Sequence, residues 1–82
     1  MYSEKEFRKL RLEERYKLLK SAGDYVGVRT TPSHRVYLFI YNGYYVELWQ
    51  IISLNQVQWI EIQSNQQILS EYIKDVDLSD LW

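Results

Sequence analysis

From Val36 to Ile62, apolar and aromatic residues occupy both alternating sets of positions, so three successive segments read as strands with oily side chains on two faces. Arg35 to Tyr41 is the first, Asn42-Gly43 is the two-residue signature of a type I′ turn, and Tyr44 to Ile52 is the partner strand. Ser53-Leu54-Asn55 closes a looser hairpin into Gln56 to Ile62. Upstream, the β-branched Val26, Val28, Thr30 and Thr31 mark a strand over 25–31. Gly27 inside it signals a bulge or a close approach, and Pro32 ends its ladder.

Helical signals flank the strands. Ser3-Glu4-Lys5-Glu6 is a capping box and Gly23 is the expected left-handed stop, so the spacing predicts a helix over 3–22. On a helical wheel Phe7, Leu10, Leu18 and Ala22 form one stripe, and Leu12, Tyr16 and Leu19 form another about 120° away. Two stripes imply two contacts, or a bend near Leu10 to Leu12. Ser64-Asn65-Gln66-Gln67 repeats the capping pattern, and Ile68, Leu69, Tyr72, Ile73 and Val76 mark one face of a second helix over 65–75. Residues 76–82 form a tail ending in Leu81 and Trp82. The fold read from these signals is α+β, a four-stranded antiparallel β-meander between an N-terminal and a C-terminal helix (αββββα), one domain over 1–82. Both helices are expected on one sheet face.

The tight turn pairs Tyr41 with Tyr44 and sorts the side chains. Tyr37, Phe39, Tyr41, Tyr44, Val46 and Leu48 share one face; Val36, Leu38, Ile40, Tyr45, Glu47, Trp49 and Ile51 share the other. A three-residue loop with a bulge at 53–55 adds Trp59 and Glu61 to the second set, whereas a two-residue loop sends Ile60 and Ile62 there. The three-residue register is favoured, because it places Ile60 and Ile62 under the helices with Val46 and Leu48. The second face then shows aromatics mixed with few charges, the composition interfaces use.

Composition narrows the function. With no cysteine and a single histidine, the chain has neither a disulfide nor an ordinary structural zinc site to support its small core, so association is the remaining common aid. No cofactor motif is present, since none of the three glycines forms a phosphate cradle. The highly charged stretch before Lys20 lacks the apolar centre of a signal peptide, and no apolar run reaches membrane-span length. A cytoplasmic protein without a membrane partner is expected.

The expected function is a small non-enzymatic protein-interaction module. Its partner is a homodimeric mate or another protein, met through Tyr45, Glu47, Trp49, Ile51, Trp59 and Trp82. The exception to a non-enzymatic reading is a carboxylate pair, Glu47 with Glu61, of the kind glycosidases use, although a meander this small supplies no deep cleft. The alternative is single-stranded nucleic-acid binding by sheet aromatics and a basic N-terminal helix. Residues 1–36 do hold nine Lys/Arg against five acids, while residues 37–82 hold Lys74 alone against six. Glu4, Glu6, Glu13 and Glu14 dilute that basic field, and the net charge is −1, so nucleic acid is not favoured. His34 and Ser33 read as ordinary turn residues.

Overall fold

The central hairpin forms as its turn requires: Asn42 and Gly43 both take positive φ (48° and 81°), and Tyr41 pairs with Tyr44, Leu38 with Glu47 and Val36 with Trp49. Around it, the computed structural model describes residues 1–74, in the order α1 (Glu4–Phe7), α2 (Leu12–Ala22), β1 (Asp24–Thr30), β2 (His34–Tyr41), β3 (Tyr44–Ile51), β4 (Gln56–Ile62) and α3 (Gln66–Lys74). The four strands form one antiparallel sheet in the order β1-β2-β3-β4. The expected tail, with Trp82, lies outside the described residues.

The predicted single helix over 3–22 is two helices. Ser3 and Glu6 make the capping box, with Glu6 N–H donating to Ser3 Oγ at 3.2 Å and Ser3 N–H to Glu6 Oε1 at 3.0 Å. The chain then leaves the helical path: Arg11 is extended (φ −75°, ψ 162°), and Glu14 accepts from the Arg11 N–H to open α2. The break resolves the two stripes. A straight helix could turn only one of them to the sheet, and the kink lets both Phe7 and Leu19 be buried, at 0% and 1% exposure.

Gly23 ends α2 without a left-handed residue, at φ −84° and ψ 142°. Its need for glycine is steric instead, because a Cβ there would lie 2.8 Å from the Leu19 carbonyl oxygen. In β1 the pairing shifts between Tyr25 and Gly27, so Val26 is the bulged residue. At the other end of the sheet, residues 52–55 link the paired Ile51 and Gln56, with Asn55 at φ 52°. That loop is one residue longer than expected. A bulge at Gln58 absorbs the difference, and Glu47 opposes Glu61 while Trp49 opposes Trp59, as the favoured register requires.

One face of the sheet carries the main core, in which Phe7 and Leu19 pack on Tyr41, Val46, Leu48 and Ile60. The expectation that both helices share this face is corrected by α3. Leu69 and Tyr72 of α3 pack on Leu38 and Tyr45, residues of the opposite face, and Tyr72 lies over Gly27, where a Cβ would still be 3.6 Å from the ring. Both oily faces therefore receive a helix from the same chain, because Leu38 needs a cover that α1 and α2 cannot reach.

Candidate interaction surface

Beneath α3 the only acid of the β2–β3 hairpin becomes the centre of a polar network. Glu47, 2% exposed, accepts from Arg29 Nε at 3.0 Å, from Gln63 Nε2 at 2.8 Å and from the Tyr72 hydroxyl. Arg29 also lies 3.5 Å from Glu71 and places its guanidinium 5.0 Å from the centre of the Trp49 ring. Burial works against the Arg29 charge, but the hydrogen bonds to Glu47 and Tyr72 outweigh it and raise its pKa. The Tyr72 phenol is also pushed up, first by burial and then by donating to Glu47.

The expected contact residues therefore have different fates. Glu47 is consumed by the network, Tyr45 packs against the cluster under α3, and Trp49 is half-buried between Arg29 and the His34 ring, 5.6 Å away edge-on. Ile51 is half-buried, and Trp59 stays 42% exposed. Glu47 and Glu61 oppose each other on β3 and β4, and each carboxylate has other partners. Although the two backbones pair, Glu61 accepts from Trp59 Nε1 at 3.3 Å and faces Arg15 at 3.8 Å, while Glu47 points under α3.

Arg15 was not legible as a structural residue from its charge alone. It is 4% exposed, and its guanidinium donates to the carbonyls of Leu10 (3.1 Å), Arg8 (2.9 Å) and Ile60, tying the α1–α2 break to β4. Its Cζ stands 5.2 Å from the Phe7 ring centre and 4.8 Å from that of Trp59. The available signal was position: Arg15 precedes Leu19 by four residues and follows Leu12 by three, so it shares their stripe.

The Ser33 hydroxyl lies 2.8 Å from His34 Nδ1, and His34 Nε2 contacts Gln58 Oε1. This chain of contacts resembles a catalytic relay only in residue type. Its serine and histidine are chain neighbours where the chain enters β2, and neutral Gln58 lacks the charge that would stabilise an imidazolium. Among the described residues there is no group of three or more metal-ligating side chains, and no helix is long and apolar enough to cross a membrane.

A further apolar surface lies between α2 and β4. Leu12, Tyr16 and Val57 line an open groove of about 310 Å³, with Glu13 and Lys17 at its rim. Tyr16 is 38% exposed there. The groove exists because α2 turns Leu19 and Arg15 to the sheet and leaves the neighbouring Leu12 and Tyr16 at the margin, beside the edge strand β4. The two-stripe pattern contained Leu12 and Tyr16, but Val57 joins them only through the bulge at Gln58.

Two tyrosines, the buried Tyr72 and the half-buried Tyr44, make the fold sensitive to alkali. Tyr44, which donates to the Tyr2 carbonyl at 2.9 Å, is pushed from 10.0 up to about 12, first by burial and then by the nearby Tyr41. Unfolded tyrosines lose their protons near pH 10, whereas folded Tyr44 and Tyr72 hold theirs longer. Their contribution to stability is therefore full below about pH 10 and is lost as pH climbs through the folded values. Urea unfolding at about pH 8 and about pH 11 should show a drop that Tyr44→Phe and Tyr72→Phe together reduce; equal pH dependence in the double variant would refute this assignment. No protein-family model matches the chain, nor does any curated protein or any solved structure.

Proposed function

We propose that this chain is a small non-enzymatic protein-interaction module of the cytoplasm, and that the groove between α2 and β4 is where it holds its partner. The observation that carries the reading is the groove itself: an apolar floor of Leu12 and Val57, an exposed aromatic at Tyr16, and a charged rim of Glu13 and Lys17. Apolar centre, aromatic anchor and polar rim are the anatomy of a contact made and released in water. The sheet face expected to serve this purpose is partly covered by α3, so less of it is open than the sequence implies. The nucleic-acid reading has one cation fewer to draw on, since Arg15 of the basic N-terminal segment is engaged inside the fold.

A random-peptide library panned against the chain tests this directly. Apolar peptides should be enriched, and Tyr16→Ser should weaken them about tenfold or more, as removal of an aromatic anchor does. Enriched peptides indifferent to Tyr16→Ser would take the groove away. Indole quenching by single-stranded oligonucleotides, weakening steeply with salt, would favour the nucleic-acid reading instead.

A further inference from the structure

We infer that the occupant of the α2–β4 groove is a second copy of this chain, bound through antiparallel α2 helices about a two-fold axis near Tyr16 and Lys17. The inference rests on the interaction-module reading and adds the identity of the partner. It follows from the distribution of charge along one short helix. The exposed side of α2 is acidic at its start, with Glu13 and Glu14, and basic further on, with Lys17 and Lys20. Laid antiparallel on itself, the helix brings Glu13 of each copy to the Lys17 and Lys20 end of the other, and the two helix dipoles oppose favourably. A parallel arrangement sets like charge on like charge.

Tyr16 suits the centre of such a contact. It is near the middle of α2 and exposed, and its ring already receives a cation, Lys20 Nζ at 5.8 Å from the ring centre. Near a two-fold axis, each ring meets the partner's groove, where Leu12 and Val57 supply the apolar wall. A net charge of −1 leaves little repulsion between copies. An 11-residue helix is about 17 Å long, so the interface is at the small end of specific contacts and the dimer is a weak one.

Sedimentation equilibrium of the full chain from about 5 to about 500 µM should show a monomer–dimer equilibrium with a Kd of order 10–100 µM. Tyr16→Ser should raise that Kd about tenfold or more. Glu13→Lys and Lys20→Glu should each raise it about fivefold, and the double variant, with the charges exchanged, should return to within about twofold of the parent. Circular dichroism melts of each variant separate loss of pairing from loss of fold. A parent chain still monomeric at the highest concentration overturns self-pairing, while the peptide selection with Tyr16→Ser decides the module reading separately. Failure of the exchanged pair to restore dimerisation overturns the antiparallel arrangement. A dimer that ignores all these changes but dissociates on Trp49→Ala puts the contact on the sheet face and overturns it as well.

Discussion

Arg15→Met is expected to cost about 3 kcal/mol of folding stability, a core-sized loss from a charged side chain. The methionine keeps much of the stem's packing between Phe7 and Trp59, so the loss isolates the guanidinium. Three carbonyls lose a charged donor: those of Leu10 and Arg8, which the helix break leaves without helical partners, and that of Ile60, which is buried on β4. A buried acceptor left unpaired costs about 1–3 kcal/mol, and two cation–π contacts add about 0.5–1 kcal/mol each. Set against a total stability of about 4–12 kcal/mol for a chain of this length, such a change should lower Tm by about 15 °C. Glu61→Gln is the contrast. Its carboxylate is half-exposed and 3.8 Å from Arg15, so its loss should move stability by less than about 0.5 kcal/mol. A melt in which the two variants behaved alike would show that Arg15 acts through the surface ion pair and not through the carbonyls.

Glu47→Leu should be comparably costly, at about 3–5 kcal/mol, for a different reason. The substitution leaves Arg29 beneath α3 with, among the described residues, only the half-exposed Glu71 near its charge, and leaves Tyr72 and Gln63 without their acceptor. Removing the stranded charge should then help. Adding Arg29→Met to Glu47→Leu is expected to recover about 2 kcal/mol, so that the double variant is more stable than Glu47→Leu alone. Because Tyr72 anchors α3 through this carboxylate, amide exchange along α3 should accelerate in Glu47→Leu well before the central hairpin exchanges. Additive losses in the double variant would mean that the two side chains act independently.

The sheet was legible because each hairpin signal is local. Asn42-Gly43 dictates its own register, and the preference for burying Ile60 and Ile62 selected the correct β3–β4 pairing although the loop is one residue longer than its sequence suggested. The side of the sheet chosen by α3 was not legible. Alternation says which residues share a face, whereas the short connection over 63–65 after an edge strand gives no sign of the face to which the helix returns. The network under α3 was half legible: Glu47 stood out as the lone acid on an apolar face, but its partner Arg29 lies beyond the bulge at Val26, which shifts the register of β1. For Glu47 and Glu61 the register was legible, since the two residues oppose each other, but their ion-pair partners Arg29 and Arg15 come from elements that alternation does not align with them. Arg15 was hidden by the habit of assigning every charge to solvent, although its stripe placed it inward.

The groove between α2 and β4 carries the functional account, and amide chemical-shift mapping during titration with a selected apolar peptide tests it most directly. Shifts should concentrate at Leu12, Glu13, Tyr16, Lys17 and Val57, with the region around Glu47 and Tyr72 unchanged. Shifts centred instead on Trp49 and Ile51, on the sheet face beside α3, would contradict it.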